Sequence, residues 1–172
     1  MKVFISYNKS DVKYKDRLIR LLDDANILYY CVPEDMDYNS QEFEAYRKAF
    51  VKELGYCDVV ICLIGKDTYS KTHVDFELNE ALKGGPSSRK GIVALMLDSR
   101  KDNKENIDYR TFPVRLVDNI RNSYVVIENF DSFHLTAEEV LEKARIQSLI
   151  SFIPVFNARM VLPFRLKEYY AN

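Results

Sequence analysis

The feature that most constrains this chain is a change of period within residues 57–82, CDVVICLIGKDTYSKTHVDFELNEAL. Residues 58–64 are an almost unbroken run of β-branched and apolar side chains, the pattern of a strand covered on both faces. Gly65 ends the run, and a polar loop follows over 66–72. Beyond it Val74, Leu78, Ala81 and Leu82 recur at helical spacing. A covered strand, a short loop and a helix place Glu77, in the first turn of that helix, just beyond the carboxyl end of a buried strand. In open α/β sheets that rim is where ligands bind. A plainer reading stands beside this one: Asp75, Glu77 and Glu80 all lie where acidic side chains offset a helix dipole.

The rest of the chain repeats the alternation. Residues 2–7 (KVFISY) read as a first strand, and Asn8, Lys9, Ser10 and Asp11 as a polar turn in which Ser10 or Asp11 caps the next helix. That helix runs to about Ala25, with Val12, Leu18, Ile19, Leu21 and Leu22 as its apolar face. Residues 27–32 (ILYYCV) form a second strand, and 33–39 an acidic, turn-rich loop. Ser40 is expected to cap a helix over 42–54, with Phe43, Tyr46, Phe50 and Leu54 on one side and Gly55 as its stop. The Gly84, Gly85 and Pro86 break follows a helix rather than a strand, so it is a helix stop and not a phosphate loop. Residues 92–97 (IVALML) are a fourth strand, 98–108 a charged surface loop, and 124–127 a fifth strand. Residues 111–120 are ambiguous, a short helix being one reading. Thr136 and Glu139 have capping-box spacing, which predicts a helix from there to about 149–152.

This order, βαβαβαβ(x)βα, predicts an α/β, flavodoxin-like doubly wound parallel sheet of about five strands in the order 2-1-3-4-5. Its switch point lies between the first and third strands. Ser6, Tyr7 and Asn8 stand at one lip of that crevice and residues 65–70 at the other, with Glu77 facing it. A chain of 172 residues suits one domain, expected over 1–152. The apolar and aromatic stretch 153–172 is expected to pack on that domain or on another subunit.

Composition excludes several function classes. With 25 basic and 26 acidic residues and no basic block, no nucleic-acid footprint is expected. No apolar run approaches a membrane span, and no signal peptide is read before residue 2. Cys31, Cys57 and Cys62 are an odd set without motif spacing, which suits reduced core thiols in a cytoplasmic protein. His73 and His134 are far apart and make no metal motif.

KVFISYNKSD at the N-terminus resembles the first strand and following loop of Toll/interleukin-1 receptor (TIR) domains. CDVVICLIGKDTYSKTHVDFEL resembles their third strand and the helix after it, and its LIG, TY and VDFEL features resemble the bacterial TIR-like group that includes the Thoeris antiphage defence proteins. The resemblance covers residues 2–98. It implies cleavage of NAD+ at the nicotinamide–ribose bond by the glutamate matching Glu77. For a Thoeris-type member it also implies a cyclic ADP-ribose signal that diffuses to a separate effector. NAD+ is then a substrate, and no permanently bound cofactor is implied. Self-association is implied too, since such enzymes complete their site on assembly. Where the family commonly carries Trp, four residues before the glutamate, this chain has His73.

Such chemistry needs few residues. Nicotinamide leaves its cationic form as a neutral molecule, so no general acid is required, unlike glycosidases with two carboxylates. Positive charge builds on the ribose, and one fixed carboxylate stabilises it. Capture by water yields ADP-ribose; capture by a group of the same molecule, held close with water excluded, yields a cyclic product. Around Glu77 the candidate substrate-binding residues are Ser6, Tyr7, Asn8, Asp37, Tyr69, Ser70 and His73. Each has a structural alternative: turn or cap for Ser6, Tyr7, Asn8 and Ser70, an acidic turn for Asp37, a packed ring for His73. The other function class is a non-catalytic TIR-like adaptor or sensor acting by protein association. A receiver domain would need an Asp at the end of its third strand, where Ile64 and Gly65 stand.

Overall fold

A computed structural model of the chain describes residues 1–32 and 41–157, the first six of the second stretch by backbone alone. Among the described residues five strands and five α-helices alternate: β1 Lys2–Ser6, α1 Val12–Asp24, β2 Leu28–Cys31, α2 Gln41–Gly55, β3 Val59–Ile64, α3 Thr72–Ala81, β4 Gly91–Met96, α4 Val114–Arg121, β5 Val125–Asn129 and α5 Phe130–Leu149. The strands form one parallel sheet in the order β2-β1-β3-β4-β5. This is the flavodoxin-like fold expected from the alternation, with the order reversing between β1 and β3.

The pleat sorts the unbroken apolar runs into two cores. Phe4, Val60, Cys62, Ile64, Ile92, Ala94 and Met96 face α2, α3 and α4, where Phe50, Leu78 and Leu116 meet them. Val3, Ile5, Ile61, Leu63, Val93 and Leu95 face α1 and α5, against Leu18, Leu22, Phe133 and Leu141. Every residue of β3 and β4 is buried, which is why neither shows alternation in sequence.

Several local expectations change. The helix read from Thr136 begins at Phe130, one residue after β5, and the Thr136 hydroxyl donates to the Ser132 carbonyl inside it. Asp11 precedes α1 but makes no side-chain cap, and residues 9–11 are a 3₁₀ turn. Residues 111–120 resolve into a 3₁₀ turn at Tyr109–Thr111 and the helix α4. The charged loop over 98–108 is not all surface: Arg100 is buried and stacks on Phe112 at 4.8 Å. The three cysteines are free, with Cys57 and Cys62 buried. The predicted Ser40 cap, the Phe43 and Tyr46 positions, Asp37 and the whole 33–39 loop lie outside what is described.

After α5 the chain turns back across α4. Arg89 donates to the carbonyls of Ser148 at 2.8 Å and Ile150 at 2.6 Å, and Asn119 exchanges both amide bonds with the backbone of Phe156. Residues 150–157 therefore pack on the domain. Of the expected apolar extension, 158–172 lie outside the described residues.

Gly91 opens β4 where α5 crosses it at close range. A Cβ there would stand well inside van der Waals contact with the Ala144 carbonyl and the Arg145 amide, both backbone atoms that cannot rotate aside. Gly91→Ala is expected to cost about 1–3 kcal/mol, as overpacking does. A urea midpoint unchanged from the natural chain would contradict this.

Candidate active site at the β1–β3 crevice

The site follows from one register. Ser6 pairs with Cys62 across β1 and β3, and both point to the face that α3 covers. α3 begins at Thr72, so Glu77 stands in its second turn, not the first as expected, and the first-turn acidic residue is Asp75; the buried stripe of Val74, Glu77, Leu78 and Ala81 lies on that face. The stripe carries a carboxylate among apolar residues. Glu77 is 1% exposed, and the Ser6 hydroxyl donates to its Oε2 at 2.6 Å. Burial pushes the Glu77 carboxyl up to about 8, against the Ser6 bond, which pulls it down. Cys62 is fully buried beside this pair, its thiol pushed up by burial and by the Glu77 charge and eased down by Ser6.

The loops at the same rim are held by polar contacts. Thr68 Oγ1 accepts from the Gly65 amide at 2.9 Å and donates to the Leu63 carbonyl at 3.2 Å. The Gly65 carbonyl accepts from Arg100 Nη1 at 3.1 Å. On its other side Gly65 leaves room for the Asp11 carboxylate, which a Cβ would strike. Asp11 is buried, and its Oδ2 has no hydrogen-bond partner among the described residues. Burial, then the nearby Asp67 charge, pushes its carboxyl up.

His73, one turn before Glu77, places Nε2 3.2 Å from the Tyr7 carbonyl. A carbonyl only accepts, so Nε2 carries the proton. Burial lowers the His73 pKa, and the neutral ring ties the start of α3 to the end of β1. The histidine fills a packing position where the resembling family commonly carries Trp.

The remaining sequence candidates divide. Ser6 meets Glu77 directly, and His73, one turn earlier on α3, meets the end of β1 instead. The Tyr7 ring packs in the opposite layer, its hydroxyl donating to the Val32 carbonyl at 3.1 Å, while its backbone carbonyl meets His73 of α3. Asn8 is buried and donates to Ser10 Oγ at 2.6 Å, a turn contact. Ser70 does not cap α3, because its hydroxyl donates back to the Asp67 carbonyl and Lys71 stands at the cap position. Tyr69 is half-buried within the 3₁₀ turn Thr68–Ser70.

Sequence reasoning missed Cys62, Asp11 and Arg100 as neighbours of the site. Only the period-2 facing of Ser6 and Cys62 could have signalled the first of these. Two cavities lie beyond Gly65 and share Arg100, Lys101 and Asp102: one of about 380 Å³ at the carboxyl ends of β4 and β5, and one of about 320 Å³ between Lys66, after β3, and Asp108 and Thr111. Their size suits a small ligand. Among the described residues no cluster of His, Cys, Asp and Glu is arranged to hold a metal ion, and no helix is long and apolar enough to cross a membrane.

A family model described as TIR domain matches residues 3–123. Among solved structures, the TIR domains of the activated Roq1 resistosome directly recognizing the pathogen effector XopQ are similar at 14% identity. That match covers 99% of this chain and 97% of that one, with a TM-score of 0.46. The azoreductase AzrA is similar at 14% identity over 87% of this chain and 100% of that one, with a TM-score of 0.39. No curated protein matches the chain.

Proposed function

This chain belongs to the TIR domain family, and on that premise we propose that it cleaves NAD+ at the nicotinamide–ribose bond and makes a cyclic ADP-ribose messenger in antiphage defence. The observation that carries the reading is the Glu77 carboxyl, buried at the switch point of the sheet and fixed by Ser6. The C1′–N bond of NAD+ breaks with its electron pair moving to the pyridinium nitrogen, so nicotinamide departs neutral. The ribose is left with the positive charge, and the Glu77 carboxylate opposes it across a short distance in low dielectric. A nucleophile from the same ADP-ribose unit then bonds to C1′ and loses its proton, closing the ring; water in its place would give ADP-ribose.

Burial keeps the Glu77 proton on up to about pH 8 in the free protein. A bound pyridinium cation favours its loss. kcat/KM, which reports the free enzyme, is therefore expected to rise with pH and level off above about 8. Self-association and a separate effector reached by the diffusible product belong to the same proposal. The second reading, a TIR module acting by association alone, has in its favour that Glu77 is closed from solvent in the single chain.

Mass spectrometry of NAD+ incubated with concentrated protein, and in lysate of infected cells, separates these readings. Nicotinamide with a product of ADP-ribose mass minus water, absent with Glu77→Gln, supports the cyclase. ADP-ribose alone makes the chain a hydrolase. NAD+ left intact under every condition defeats both enzymatic readings and leaves the association module.

A further inference from the structure

α3 is a ten-residue helix without a side-chain cap. Short helices lacking caps are weakly held at their ends by their own bonds. Besides its buried apolar stripe and the His73 contact with Tyr7, polar contacts hold this one on both sides of Glu77. Two residues before it, Asp75 takes Arg115 of α4, with Nε to Oδ1 at 2.7 Å and Nη2 to Oδ2 at 3.3 Å. Two residues after it, the Asn79 carbonyl accepts from Asn157 Nδ2 at 2.9 Å. Arg115 joins the two holds, since its Nη1 donates to the Asn157 carbonyl at 2.8 Å and to Asn157 Oδ1 at 2.7 Å.

The geometry suits a bracket. Positions two before and two after a helical residue lie about 160° around from it, on the side away from that residue. The two anchor points therefore sit outside while Glu77 faces the sheet, some 6 Å apart along the axis with Glu77 midway. Arg115 itself is buried, and its planar fork cannot swing without breaking both contacts. Asn157 is fixed in turn by its neighbour Phe156, whose amide and carbonyl are both held by Asn119.

We propose that Arg115 and Asn157 are positioning residues that bracket α3 between α4 and the C-terminal segment and hold the Glu77 carboxylate on Ser6. The inference rests on the reading of Glu77 given above, but one arm of its test does not. Arg89 and Asn122 supply the controls. Both hold the same C-terminal segment, Arg89 on the Ser148, Ile150 and Ile153 carbonyls and Asn122 on that of Pro154, through bonds that do not reach α3.

Asn157→Ala and Arg115→Lys, in the full chain, are compared with Arg89→Lys and Asn122→Ala. The first readout is NAD+ turnover, with kcat and KM separated. The second is the Glu77 titration, followed without NAD+ as the change of stability with pH. Among the described residues the titratable group that feels the Glu77 charge is Cys62 of β3, on which Asp11 also acts. Asp75 and Arg115 lie on the outer side.

Asn157→Ala is expected to lower kcat by about tenfold to a hundredfold, as a small misplacement of a reacting group does, with KM within about twofold. The Glu77 midpoint is expected to move down from about 8 as burial is relaxed. Arg115→Lys, which keeps the charge and loses the fork, follows in the same direction by less, and the two control variants change neither readout. The bracket is overturned if Asn157→Ala and Arg115→Lys leave both readouts unmoved, or if Arg89→Lys or Asn122→Ala reproduces their effects. If the natural chain consumes no NAD+, the catalytic reading of Glu77 falls, while the titration arm still decides the bracket.

Discussion

Glu77→Gln is expected to make the folded chain several kcal/mol more stable at pH 9 while slowing NAD+ cleavage by about 10²–10³-fold. A glutamate titrates at 4.5 when unfolded, whereas in the fold burial holds the proton on Glu77 to about 8. Between those values the native state binds more protons than the unfolded state, so stability falls as pH rises. The contribution of the protonated side chain is fully present below about 4.5 and is lost as pH passes through about 8. At roughly 1.4 kcal/mol per pH unit, the gap corresponds to an upper limit of about 5 kcal/mol. Glutamine has the same shape, still accepts from Ser6 and has no charge to bury. The two proteins should therefore match near pH 4 and diverge in favour of the variant towards pH 9. Urea unfolding across that range checks it, and parallel curves would show that Glu77 is not desolvated in the folded chain. The same substitution removes the charge that opposes the developing ribose cation, for which a loss of about 10²–10³ in rate is expected. Stability gained and activity lost in one variant is the pattern of a functional site held at a cost to the fold.

Arg115→Ala is expected to cost about 3 kcal/mol. Its guanidinium is 4% exposed and makes four bonds, to Asp75 and Asn157. Removing one partner of a buried pair leaves the other charge uncompensated, which costs about 3–5 kcal/mol. The lower end applies because Asp75 retains some solvent contact, its side chain being 20% exposed. Burial already pushes the Asp75 carboxyl up in spite of Arg115, and without the arginine it rises further. The double variant with Asp75→Ala should lose less than the sum of the two single losses, because neither charge is then stranded. Additive losses in the double-mutant cycle would mean that the pair is not coupled.

Much of the architecture could be read in advance because its signals are local. A run such as VVICLI is continuous only where both faces are covered, and the helical spacing of Val74, Leu78 and Ala81 identifies the covering element. Those two patterns, with a short loop between them, suffice to place Glu77 at the rim. The same local logic failed at α5. Thr136 and Glu139 have the spacing of a cap, but no turn separates Asn129 from Phe130, so the helix starts directly from the strand and the capping pattern lies inside it. It failed again at Ser70, whose hydroxyl closes the preceding turn instead of capping α3.

What the sequence by itself determined is therefore the layer order, the parallel sheet with its β1–β3 switch point, and the presence of an acidic side chain there. Periodicity reports burial, and burial over short segments decides those things. What only the tertiary structure decided is the company Glu77 keeps: Ser6 and Cys62 beneath it, His73 tied to the Tyr7 carbonyl, and Arg115 with Asn157 clamping its helix from outside. These contacts join residues tens of positions apart through strand register and single hydrogen bonds. Neither leaves a period in the chain, because an arginine bound for the interior and one bound for solvent are the same letter until the fold supplies an acceptor.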